Sequence, residues 1–183
     1  MSDVKIIPDP YGHGRDIVRI EDCKVITQFN NFSGNYGYNG VVDPNNRGFV
    51  IILPNDEIAD YLAEHDWRVK VDRDGLKILP VKVSYKFYDP TQEKPVPTII
   101  KIDPKNKTRM FMDEPTVGQL DDFHASGFEY CDVVFKGSPA SDGKTSAYLQ
   151  WMQVVPNYSE EREDIDNLES KFTEGWEEVT PEE

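Results

Sequence analysis

The chain has 183 residues, of which 30% are charged and 38% apolar, with a formal net charge of −14. This fits one globular domain with a tail and excludes a helical membrane span, since no apolar run approaches the ~20 residues a span needs. The acidity is not uniform: residues 68–109 carry eleven bases against five acids, net +6, while residues 159–183 carry two bases against eleven acids, net −9. A basic middle followed by an acidic tail predicts a groove for a polyanion and a tail that competes for it or recruits partners. The flanking segments are acidic, residues 1–67 at −6 and residues 110–158 at −5, so any such groove depends on charge gathered within a Debye length of ~8 Å.

In chain order, residues 1–14 contain Pro8, Pro10, Gly12 and Gly14 and read as an irregular arm. The N-terminus lacks the apolar stretch of a secretory signal. Cys23 and Cys131 lack metal-ligand spacing, so two buried reduced thiols in a cytoplasmic protein (host cytoplasm if viral) are expected. Residues 15–29 are rich in β-branched types and predict a first strand, broken near Glu21-Asp22. Residues 30–48 hold six Asn and four Gly, the composition of a long loop tolerant of positive φ. Phe49–Leu53 is a continuous apolar run suited to a strand buried on both faces. Asn55 then caps a predicted helix over residues 55–66, whose Ile58, Tyr61, Leu62 and His65 share one face.

Two strands follow. In the second, Val81, Val83, Tyr85 and Phe87 alternate with Lys82, Ser84, Lys86 and Tyr88, which predicts a half-buried strand with a basic outer face. Thr98–Asp103 is another strand, leading to a basic turn at Lys105-Asn106-Lys107. Thr116 and Gln119 suggest a capping box for a second short helix through Leu120 and Phe123, closed near Gly127. Residues 128–136 and 145–155 are the last strands. Many strands, few helices and no βαβ alternation predict a mainly β class, a barrel or sandwich with one or two covering helices. The division is a domain over residues 1–158 and an acidic disordered tail over residues 159–183, with Phe172 and Trp176 as anchors for a partner.

Chemical motifs are scarce. Residues 137–145 have five residues between Gly137 and Gly143 where a phosphate-binding P-loop has four, and they lead into a strand rather than a helix. Asp142-Gly143 suits a hairpin turn instead. His13, His65 and His124 are scattered, so no metal ligand set, no cofactor site and no catalytic residue is nominated, and the chain is expected not to be an enzyme. The loop at residues 30–48 carries Phe32, Tyr36 and Tyr38 and ends at Arg47. Its rings either stack on unpaired bases or pack over the mouth of the barrel. Lys82, Lys86 and Tyr88 on one strand face, with Lys101, Lys105, Lys107 and Arg109, are the candidate phosphate contacts.

The segments Asn31-Phe32-Ser33-Gly34 and Asn46-Arg47-Gly48-Phe49-Val50-Ile51-Ile52-Leu53, then His65-Asp66-Trp67-Arg68-Val69-Lys70, resemble a group of bacteriophage single-stranded-DNA-binding proteins. Ala147-Tyr148-Leu149-Gln150-Trp151-Met152-Gln153-Val154-Val155 is similar to the closing strand of single-strand-binding OB-folds, again followed by an acidic tail. The resemblance implies a five-stranded OB-type barrel that coats single-stranded DNA in phage replication or recombination. It also implies that the tail meets replication or recombination proteins, although this chain ends in Pro181-Glu182-Glu183 rather than a hydrophobic tip. The rival expectation is a protein-interaction or anti-defence module that uses its acidic surface against a basic partner. Self-association into a homo-oligomer is left open by the sequence.

Overall fold

The computed structural model describes residues 3–85 and 96–158. The predicted positions Lys86, Tyr88, Phe172 and Trp176 lie outside the described residues. Strands β1 (Asp3–Ile7) and β2 (Ile17–Glu21) pair as a hairpin, and β3 (Lys24–Val25) continues β2 after a break. Next come β4 (Arg47–Ile52), helix α1 (Asp56–Glu64), β5 (Lys70–Val71), β6 (Lys77–Val83), β7 (Thr98–Asp103) and β8 (Thr108–Met112). A 3₁₀ segment, Val117–Phe123, precedes the long hairpin of β9 (Phe128–Pro139) and β10 (Thr145–Pro156).

The architecture is mainly β, as the strand-rich pattern implies. The ten strands form one mixed sheet in the order β1-β2-β9-β10-β6-β4-β3, with β5 beside β6, β7 beside β10 and β8 beside β7. Strand β10 runs parallel to both β6 and β7, which occupy its edge one after the other. Among the described residues the ladders leave the sheet open and do not build the expected closed barrel. Between β2, which pairs with β9, and β3, which pairs with β4, Asp22 takes φ 54° and bends the chain. A backbone bond from Cys23 N–H to the Cys131 carbonyl, at 2.7 Å, spans that gap.

The irregular arm expected over residues 1–14 also needs correction, because β1 pairs with β2 from Asp3↔Glu21 to Ile7↔Ile17. The prolines and glycines that suggest irregularity all lie after β1, while Val4 and Ile6 alternate with Asp3 and Lys5 and turn toward the core. Strand β8 begins where the sequence shows only the end of a basic turn. Its pairing with β7 supplies hydrogen bonds that no local signal announces.

The inner face is a single hydrophobic core. Phe49 and Ile51 of β4, Leu79 and Val81 of β6, Val133 and Phe135 of β9, and Leu149, Met152 and Val154 of β10 are buried in it. Alternation puts these residues on one side of their strands and leaves their neighbours outside. Helix α1 closes one end with Ile58, Ala59 and Leu62, and burying a Leu side chain such as Leu62 contributes ~1.5–3 kcal/mol. Its start is set by Asn55, whose side-chain oxygen accepts the Ile58 N–H at 2.9 Å. No helix among the described residues is long and apolar enough to cross a membrane.

Candidate nucleic-acid interface

The loop at residues 30–48 is ordered by two buried charges. Asp121, in the 3₁₀ segment, accepts the Phe32 N–H at 2.8 Å, the Ser33 N–H at 2.9 Å and the Ser33 hydroxyl at 2.7 Å. From the other side, the Arg47 guanidinium donates to the Pro44 carbonyl at 2.7 Å and the Phe32 carbonyl at 3.0 Å, and it pairs with Glu114 at 3.2 Å. Ionised partners make these the stronger kind of hydrogen bond. Phe32 is fully buried and stacks on Phe49 at 5.1 Å. The Phe32 ring thus has no exposed face, and the Arg47 guanidinium is committed to three carbonyls, that of Glu114 among them, and to the Glu114 carboxylate. Phe32 and Arg47 therefore hold the loop, and their place is in the core rather than at an interface.

Tyr36 is 58% exposed and meets His124 edge-on, with ring centroids 4.6 Å apart. Tyr38 opens a short 3₁₀ turn, Tyr38–Gly40. Lys105 and Lys107 lie in the exposed turn between β7 and β8, and Lys101 sits on β7 in register with Val154. Arg109, on β8, lies over the Phe111 ring at 5.8 Å. Lys82 instead lies over Tyr148 of β10, 5.7 Å from the ring centroid. The predicted residues are thus divided between the loop, where Tyr36 packs on His124, and the sheet.

The outer face of the sheet gathers a set that the sequence did not bring together. Lys82 is in register with Tyr148, Tyr148 with Lys136, and Lys136 with Ile17. Directly paired residues project from the same face, so Tyr148 stands between two lysines, each one strand spacing of ~4.8 Å away. In the neighbouring row Trp151 pairs with Val134, Val134 with Arg19, and Arg19 with Lys5. Tyr148 and Trp151 are three apart, and strict alternation would set them on opposite faces. A bulge between Leu149 and Trp151 shifts the register by one residue and turns Trp151 outward beside Tyr148. Beyond it Gln153 pairs with Ile100 and Ile100 with Phe111, which is 65% exposed. Gly48, opposite Lys82, leaves that flank without a side chain, and a Cβ there would meet the Val81 carbonyl oxygen at 2.7 Å.

On this face Asp132, in register with Gln153, is buried and accepts the Asp22 N–H at 3.0 Å and the Gln153 amide at 2.9 Å. Its hydrogen bond with Tyr130 is the main reason that phenol is pushed up to about 12. Some cations of the region are partly neutralised: Arg19 pairs with Glu21 at 3.5 Å, and Arg68 with Asp142 at 3.0 Å. Arg68 also donates to Ser146 at 2.9 Å, next to the Lys82–Tyr148 row.

The sequence points to Lys82 and Arg109 but not to Lys136, Tyr148, Trp151 and Arg19. Alternation along β9 and β10 is the available signal, and the bulge erases it where it matters. Residues 137–145 form no phosphate loop; β9 runs on to Pro139, and Ala140 and Lys144 close a tight turn with an N–H to carbonyl bond of 2.8 Å. Among the described residues no group of three or more His, Cys, Asp or Glu side chains could hold a metal ion. No family model, curated protein or solved structure matches this chain.

Proposed function

We propose that this chain binds single-stranded DNA without sequence preference, as a coating protein of phage-type replication or recombination, and that it does no chemistry on its ligand. The observation that carries the proposal is Tyr148 flanked in register by Lys82 and Lys136, with Trp151 turned onto the same face by the bulge. Two aromatic stations ~7–10 Å apart along β10 suit bases that stack singly, and the flanking cations suit the phosphates between them. A duplex hides its base faces inside the stack and gains only the electrostatic part of this binding.

The accompanying fold proposal is an OB-type winding. It is supported by β2 and β3 acting as one bent strand that pairs with β9 through its first part and β4 through its second. It is supported also by the parallel pairing of β6 with β10 across the sheet order β9-β10-β6-β4. The acidic residues 159–183 complete the proposal as a competitor for the same cations, with Phe172 and Trp176 anchoring a replication or recombination partner in the cytoplasm.

Fluorescence titration tests the reading. Trp67 is buried while Trp151 is partly exposed, so stacking on Trp151 should quench emission as a single-stranded oligonucleotide is added. Binding should weaken with salt and should be tighter for single-stranded than for duplex DNA of equal length. Absence of salt-dependent binding to either would defeat the proposal.

A further inference from the structure

Strands β7 and β8 form a hairpin that extends the sheet past β10, and β8 pairs with β7 alone among the described residues. Residues 98–112, which make this hairpin, carry four bases against one acid, net +3, in a chain whose net charge is −14. The one acid, Asp103, is committed to the turn, where its carboxylate accepts the Lys105 N–H at 3.1 Å and the Asn106 side-chain amide at 2.8 Å. Phe111 is 65% exposed on the outer side of β8, while its neighbour Met112 is buried in the core. We infer that single-stranded DNA passes from β10 onto this hairpin, with Phe111 as a third base-stacking station beyond Tyr148 and Trp151 and with Arg109 as the phosphate contact beside it. The inference rests on the DNA-binding reading above and adds the course that the DNA takes.

Register places Phe111 on the required face. Trp151 and Gln153 are two apart on β10 and share its outer side, Gln153 pairs with Ile100, and Ile100 pairs with Phe111. Two strand spacings of ~4.8 Å and one step of two residues, ~6.8 Å, separate Trp151 from Phe111, a distance of ~12 Å. Thr98, in register with Trp151, and Ile100 lie between them and carry no charge. Arg109 is two residues before Phe111 on the same side, with its guanidinium 5.8 Å from the ring centroid. Among the described residues Arg109 makes no ion pair.

Charge favours this direction over the opposite one. The next outward pair beyond Lys5 and Arg19 is Asp3 and Glu21, so DNA turning from Trp151 toward β2 and β1 meets two carboxylates. Toward β8 it meets Arg109. Asp132, in register with Gln153, is 4% exposed, and its carboxylate is held below the surface by the Asp22 N–H and the Gln153 amide. Within a Debye length of ~8 Å the phosphates are therefore drawn to the hairpin. A second copy seated on Phe111 would bring two hairpins of net +3 together, which disfavours that occupant.

The test uses the full chain and a labelled single-stranded oligonucleotide of about twelve nucleotides, within the ~4–16 that one OB-type domain covers. Phe111→Ala should weaken binding about tenfold, as loss of one stacked base does. Phe111→Leu keeps apolar bulk without a π face and should lose nearly as much, whereas Phe111→Tyr should bind as the parent does. Arg109→Ala should flatten the slope of log affinity against log salt by ~0.7. In a Trp151→Phe background, Phe111→Trp should introduce emission that the oligonucleotide quenches, a signal that a purely structural role does not produce. Parent-like binding by both Phe111→Ala and Phe111→Leu, or introduced emission that DNA leaves unchanged, would overturn the inference while the parent chain still binds. Failure of the parent chain to bind is a separate result, which defeats the reading beneath it. A fall in the sedimentation coefficient of the free chain on Phe111→Ala would overturn the inference too, by assigning the ring to a second copy.

Discussion

Replacing Tyr148 by Ala removes the ring between Lys82 and Lys136 and probes the proposed interface at its centre. Stacking on one base is worth ~1–3 kcal/mol, so affinity for a single-stranded oligonucleotide should fall about 5-fold to 150-fold. The loss should be almost independent of salt, because a neutral ring releases few counterions. Tyr148→Phe keeps the face of the ring and should retain most of the binding. Lys82→Ala should behave differently: the slope of log affinity against log salt should flatten by ~0.7 for each single-strand phosphate that is no longer neutralised. Lys82 lies 5.7 Å from the centre of the Tyr148 ring, so its removal also costs a cation–π interaction of ~0.5–1 kcal/mol, and the pair should be less than additive. Fluorescence titrations at several salt concentrations, with circular dichroism and melting to establish folding, separate these outcomes. A folded Tyr148→Ala protein with unchanged affinity at every salt concentration would refute the stacking argument.

Asp121→Ala should destabilise the chain by about 2–4 kcal/mol in urea unfolding, since two backbone N–H groups and the Ser33 hydroxyl lose a charged acceptor, and the Phe32 N–H is left buried. A loss under 1 kcal/mol would mean that the loop anchors itself by other means. Burial, foremost, pushes the Tyr85 phenol up to about 12 from an ordinary 10.0, and its hydroxyl has no hydrogen-bond partner among the described residues. The unfolded chain then releases that proton first, so stability is full below pH 10 and declines as pH rises from about 10 through 12. Tyr85→Phe should reduce this alkaline decline without lowering the melting temperature at neutral pH, and an unaltered pH profile would contradict the assignment. Deleting residues 159–183, net −9, should tighten single-stranded DNA binding at low salt and have progressively less effect as salt is added; equal affinity at low salt would remove the competition argument.

Local chemistry makes much of the fold legible. The Asn55 cap, the helical spacing of Ile58 and Leu62, the Asn/Gly loop and the break near Asp22 are all readable, because each depends on residues within one or two turns of chain. The apolar run Phe49-Val50-Ile51-Ile52-Leu53 announces a strand for the same reason, although Val50 and Ile52 are only half-buried and the second face is not fully covered. Lys82 can be placed on an outer face from alternation alone, and the tight turn around Asp142-Gly143 from its residue types.

Pairing is not legible, and pairing decides the candidate site. The edge strand β1 is hidden because five residues of weak alternation become a strand only when β2 supplies their hydrogen bonds. Phe32 and Arg47 look like ligand-binding residues in a polar loop, yet Asp121, Phe49 and Glu114 from distant segments draw them inward. Lys82, Lys136 and Tyr148 are separated by 54 and then 12 positions in sequence, and only the parallel β6–β10 and antiparallel β9–β10 registers set them side by side. Sequence determines which faces are apolar and where the chain turns. The tertiary structure alone decides which strands meet and in what register, because a one-residue shift such as the bulge before Trp151 moves a side chain from one face of a sheet to the other.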